Sequence, residues 1–143
     1  MTNCFQAGGA VLAAALILTS CGERPDVFYA HAIEARAAGA VDQGWIPDWM
    51  PKSARAIHEI HDLDTSRSML TFLFEPVDPP QLPASCGQVP PEGISAPPFR
   101  RSWWPDDVPP TSSPGDRHVY YRCSDGAYVA VASKEGRVFH WRP

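Results

Sequence analysis

The segment whose residue types could most readily do chemistry is His58-Glu59-Ile60-His61. Two imidazoles around a carboxylate suggest a zinc hydrolase, but that motif sets its histidines at i and i+4 of a helix, with a glutamate between them as base. Here they stand at i and i+3, which shares a helix face but gives a different bite. With an added oxygen ligand, His58, His61 and Asp64 make a weak candidate for a metal site of two histidines and one carboxylate. The plainer reading is a solvated helix end with His61 half-buried beside Ile57. Asp62-Leu63-Asp64-Thr65-Ser66 opens like a calcium loop, but Arg67 stands where the sixth-position glycine belongs and Leu73 where the twelfth-position acid belongs. Calcium is excluded.

Nucleophilic catalysis has little support. There is no G-x-S-x-G elbow, and His31, His58, His61, His118 and His140 scatter without a recognisable partner set. No catalytic residue and no cofactor is expected, and the chain reads as a non-enzyme. A better candidate for contact is Trp103-Trp104 in a Pro-rich stretch, flanked by Arg100, Arg101 and Pro105. Aromatics so placed can stack on sugar rings or anchor a protein partner. Alternatively they cover the sheet as substitute core, with the arginines solvating the loop or meeting Asp106 and Asp107.

The four cysteines do different things. Ala10 to Leu18 reads AVLAAALIL, and the uncharged stretch from Phe5 to Leu18 is fourteen residues long. That is short of the ~20 apolar residues a bilayer-crossing helix needs, and within the ~7–15 of a signal-peptide core. Leu18-Thr19-Ser20-Cys21-Gly22 follows directly. Here the chain resembles the export signals of bacterial lipoproteins. The resemblance implies a diacylglyceryl group on the Cys21 thiol, cleavage after Ser20, and acylation of the new amino group. Gly22, standing where an aspartate would favour inner-membrane retention, implies an outer-membrane destination. More than one acyl chain is what stable anchoring requires. On this reading residues 1–20 are a signal peptide, 21–25 a lipidated tether, and 26–143 one small domain on the periplasmic side of the envelope.

Cys4 then leaves with the signal, and Cys21 carries lipid. Cys86 and Cys123 remain in an oxidising compartment, where one disulfide is expected. Neither has a C-x-x-C partner for a metal.

The elements that must position these groups follow from patterning. Asp26–Val41 carries apolar residues at three- and four-residue spacing, with Asp26 as N-cap and Gly39 near its end, and is expected to be helical. Two Trp-containing turns, Trp45-Ile46-Pro47 and Trp49-Met50-Pro51, lead into a second expected helix. Ser53 is its N-cap, and Ala54, Ile57, Ile60 and His61 share one face. Met69–Phe74 reads as a buried strand. Residues 76–114 hold 12 of the 16 prolines, so they read as a long excursion rather than core. His118–Cys123, Ala127–Ser133 and Arg137–Trp141 alternate as strands, with Asp125-Gly126 and Glu135-Gly136 as hairpin turns. The expected fold class is α+β: a three- or four-stranded antiparallel sheet ending in a C-terminal meander, with one or two helices packed on it and a long Pro-rich loop. The pattern WIPxWMPxSAxxIxExHDxDT over residues 44–74 also resembles a group of small uncharacterised bacterial proteins, several of them predicted lipoproteins. It informs architecture only.

Composition bounds the function. The chain has 143 residues, 44% of them hydrophobic and 20% charged, with a formal net charge of -4. That suits one globular domain and offers no basic footprint for nucleic acid. The expected role is a lipid-anchored, non-catalytic envelope protein that binds or scaffolds a protein or glycan partner. The rivals are an inhibitor or immunity-type lipoprotein that blocks an envelope enzyme, and a small metal-dependent enzyme using His58, His61 and Asp64.

Overall fold

The computed structural model describes residues 26–110 and 117–143. The apolar leader and Cys21 lie outside the described residues.

Among the described residues the chain forms seven strands: β1 (Asp26–His31), β2 (Arg55–Asp62), β3 (Arg67–Leu73), β4 (Cys86–Val89), β5 (Val119–Cys123), β6 (Tyr128–Ala132) and β7 (Arg137–Arg142). They form one antiparallel sheet in the order β1-β2-β3-β7-β6-β5-β4. One meander, β1-β2-β3, joins another, β4-β5-β6-β7, where β3 pairs with β7. The helix of the described residues, α1 (Ala32–Ala37), is a single six-residue piece. The fold is therefore mainly β, and the α+β expectation is corrected.

The second expected helix gave way to β2 because its apolar residues serve two sheet faces. The sheet is buried on both faces, so apolar residues three apart in a strand serve opposite faces instead of one helical stripe. Ile57 of β2 packs with Leu70, Phe72 and Val138 on one face. Ile60, three residues on, packs with Met69, Phe139 and Trp141 on the other. A 3-residue apolar spacing is thus common to an amphipathic helix and a doubly buried strand. Ser53, expected as an N-cap, instead ties loop to loop: its amide donates to Asp78 Oδ2 at 2.8 Å, and its hydroxyl accepts from the Glu75 amide at 3.1 Å. In the first expected helix, the bulky run Asp26–His31 is extended and only the alanine-rich part coils. That helix does end at Gly39 (φ 78°), with Gly39 N donating to Arg36 O and Ala40 N to Ala35 O. This is the pair of bonds that closes a helix on a left-handed residue.

The first face is covered by α1 and residues 38–54, which insert Ala35, Ile46 and Met50, all at most 2% exposed. The second face is covered by the Pro-rich excursion. That segment is core as well as connection: Phe99, Trp104 and Val108 are buried in it, and β4 lies inside it as an edge strand. Trp141 Nε1 donates to Ser95 O at 2.8 Å and fastens the excursion to the sheet. Proline-rich chain can pack side chains onto a sheet without joining its ladder, and covering a face asks no more than that.

Candidate functional site

Cys86 and Cys123 are directly opposed in the β4–β5 ladder and disulfide-bonded, with Cα atoms 3.9 Å apart. The bridge pins the edge strand β4 to β5. Cys21, the expected lipidation residue, lies outside the described residues.

His58 and His61 are not brought together. An odd spacing in a strand sends them to opposite faces. His58 stacks on Trp103 at 5.4 Å, whereas His61 stacks on Trp45 at 4.2 Å on the other side of the sheet. Asp64 sits in the β2–β3 turn, its amide donating to Asp62 Oδ1 at 3.0 Å. Among the described residues no three His, Cys, Asp or Glu side chains cluster as a metal would need.

The Trp103-Trp104 pair is divided between packing and surface. Trp104 is 8% exposed, lies edge-on to Phe139 and Trp141, and donates Nε1 to Val108 O at 2.7 Å. Trp103 is half-buried against His58. Arg101 pairs with Asp26 Oδ2 at 2.8 Å, tying the excursion to the first strand, and Arg100 is exposed. Arg100, Arg101 and the rim of Trp104 border a hollow of about 830 Å³ within the excursion.

A second concavity lies at the end of the sheet that carries the β2–β3 turn and the C-terminal end of β7, on the α1 side. Strand register builds it. His61 faces Ser68, and Ser68 faces Arg142, so the three share one row; Glu59, Leu70 and His140 share the next. Glu59 is fully buried and accepts from or shares a proton with His61 Nδ1 at 2.5 Å. Burial pushes the Glu59 carboxyl above its usual range, and the His61 hydrogen bond partly opposes that rise. The same carboxylate adds to the burial that raises Tyr29. His140 is 7% exposed. Burial lowers its ring to about 4, with the Arg142 guanidinium acting in the same direction and Asp125 against it. The ring is neutral at ordinary pH. Arg142 Nη2 donates to Asp125 Oδ2. Three buried polar atoms have no hydrogen-bond partner among the described residues: Glu59 Oε2, His140 Nδ1 and Arg142 Nε.

Two adjoining cavities open here, of about 230 Å³ and 190 Å³. They share Gly44, His140 and Arg142, and Trp49 lines the first while Trp45 and Ser68 line the second. In the sequence His61 and His140 stand 79 positions apart, among histidines with no recognisable partner set. The sign that united them is the alternation of polar residues at 59 and 61 and at 140 and 142, visible only once both segments are known to be strands in one sheet.

Comparison with known proteins places the likeness in the amino-terminal half. Residues 23–73 match the family model described as the YbbD head domain. The matched span covers β1, α1 and the Trp-containing segment through the last residue of β3, and leaves out the β4–β7 meander. No curated protein and no solved structure matches the chain.

Proposed function

We propose that this chain is a lipid-anchored, non-catalytic protein of the bacterial envelope that binds or scaffolds another component on the periplasmic side, at the outer membrane. The observation that carries the reading is the order of segments. Leu18-Thr19-Ser20-Cys21 closes an apolar run, and the head-domain match begins at residue 23. The match supports an envelope-associated protein. Five residues from Cys21 to the start of β1 span at most ~18 Å, so acylation would hold the domain against the membrane surface. A disulfide between Cys86 and Cys123 suits the oxidising side of that membrane. The division of His58 and His61 between two sheet faces favours a binding role over a metal-dependent reaction. The hollow bordered by Arg100, Arg101 and Trp104 is a surface on which a protein partner could seat.

The test is fractionation of cells producing the full chain or its Cys21→Ser variant. The native chain should sediment with outer membranes and the variant should appear in the soluble periplasmic fraction. Equal membrane partitioning of both would refute the anchor. Crosslinking in intact envelopes then reads the partner.

A further inference from the structure

A row of aromatic rings comes to the surface where the described chain begins. β1 is an edge strand, paired on one side by β2. Its alternate residues Asp26 and Phe28 stand opposite Ile60 and His58, so they share the face that the Pro-rich excursion covers. That cover reaches His58, on which Trp103 stacks at 5.4 Å and 19°. The His58 ring in turn meets Phe28, with centroids 4.8 Å apart. Phe28 ends the row and is 56% exposed, while Trp103 is half-buried. Arg101, two residues before Trp103, pairs with Asp26 Oδ2 at 2.8 Å and fixes the row beside the start of β1.

Chain length selects the occupant of that row. An acylated Cys21 would hold Asp26 within ~18 Å of the bilayer, and Phe28 lies only ~7 Å farther along the strand. A folded partner of 100 residues has a radius of gyration of ~13 Å, so it is wider than the gap beside Asp26. Charge points the same way. Asp26 and Arg101 cancel formally, so the row carries none of the acidic excess of a chain with net charge -4. Leu63, 74% exposed in the β2–β3 turn at the same end of the sheet, is flanked by Asp62 and Asp64, which suit an anionic surface poorly. The exposed Ile33 and Val77 follow the far ends of β1 and β3. Tryptophan and phenylalanine beside polar edges are side chains that settle at the level of lipid headgroups.

We propose that the Phe28–His58–Trp103 row is a membrane-contact surface, which seats in the phospholipid headgroup region beside the anchor and sets how the domain stands on the bilayer. The inference rests on the lipid anchor proposed above and adds the face that meets the lipid.

The test uses the chain recovered from membranes of a Gram-negative cell and reconstituted into vesicles of phosphatidylethanolamine and phosphatidylglycerol. Intact mass first reads whether Cys21 is acylated. Lipids brominated at a shallow or a deep acyl position then serve as quenchers of tryptophan fluorescence. Expected is stronger quenching by the shallow bromines, because an interfacial side chain enters only ~5–10 Å. Trp103→Phe should lose at least half of that quenching, since phenylalanine keeps a ring on His58 but gives no signal. Trp49→Phe, on the opposite face of the sheet, should retain it. Adding Phe28→Trp to Trp103→Phe should restore it. Should Trp103→Phe not fold, Phe28→Trp alone, at an exposed position, should raise the shallow quenching above that of the native chain. Vesicle-bound, acylated protein with no quenching, or with quenching that Trp103→Phe leaves intact, would overturn the contact surface and leave the anchor standing. An unmodified Cys21 would overturn both.

Discussion

Trp104→Ala is the sharpest perturbation of the covered sheet. Trp104 is 8% exposed, its ring centroid lies 5.0 Å from that of Phe139 and 5.5 Å from that of Trp141, and its Nε1 donates to Val108 O at 2.7 Å. Truncating a buried tryptophan to alanine costs ~3–5 kcal/mol through lost burial and the cavity left behind. Orphaning the Val108 carbonyl adds ~1 kcal/mol, toward the lower end of the range because water can reach it through the adjoining hollow. The sum, roughly 4–6 kcal/mol, is a large part of the ~5–15 kcal/mol that holds a typical domain together. Trp104→Phe keeps most ring contacts, loses the hydrogen bond, and should cost ~1–2 kcal/mol. Urea unfolding of the oxidised full chain, followed by far-ultraviolet circular dichroism, measures both. A surface tryptophan would change stability by only about ±0.5 kcal/mol. If Trp104→Ala falls within ~1 kcal/mol of the native chain, the Pro-rich excursion is not a core layer and the two-faced sheet is wrong.

Other expected outcomes follow from the same structure. Replacing Cys86 and Cys123 together by alanine opens a loop whose ends are 37 residues apart in sequence and should lower stability by ~4 kcal/mol on the chain-entropy estimate, read as a lower urea midpoint that reductant reproduces in the native chain. Gly136→Ala places a Cβ 2.5 Å from the Phe74 carbonyl oxygen at φ 60°, where both the clash and the left-handed backbone oppose it; a loss of ~2 kcal/mol or more is expected by thermal unfolding. The His140 ring, lowered to about 4 in the fold from an ordinary 6.5, stays neutral where the unfolded chain takes up a proton. Its contribution is present above about pH 6.5 and lost as pH falls toward 4, a loss of up to ~3 kcal/mol. The melting difference between the native chain and His140→Phe should therefore widen in favour of the variant across that window; a constant difference would refute the neutral, buried ring.

What the sequence disclosed depends on how each strand is buried. The carboxy-terminal hairpins were legible because Asp125-Gly126 and Glu135-Gly136 mark their turns and leave Val119–Cys123, Tyr128–Ala132 and Arg137–Arg142 between them. Met69–Phe74 was legible as a short buried apolar run, and forms β3 shifted by a residue or two. Arg55–Asp62 was not, since apolar residues for two faces merge into a spacing of three and four that also describes a helix; Asp26–His31 was not, since it has no buried residue of its own and runs straight into the alanine-rich α1. A bulge between Arg55 and His58, with Ala56 at φ 48°, further breaks the period of two in β2. The short β4 was hidden by prolines on either side of it, and its place at the sheet edge comes from pairing with a strand more than 30 residues downstream. The disulfide was legible by counting cysteines. The polar groove was not, because Ser68, His61 and Arg142 become neighbours only through the β2–β3–β7 register.

The lipid anchor is tested most directly by the intact mass of the protein recovered from membranes of a Gram-negative cell that makes the full chain. Expected is a polypeptide beginning at Cys21, heavier than its unmodified sequence by a diacylglyceryl group and an amide-linked acyl chain, and lacking residues 1–20. A chain that retains its leader, or one with an unmodified Cys21, would contradict it.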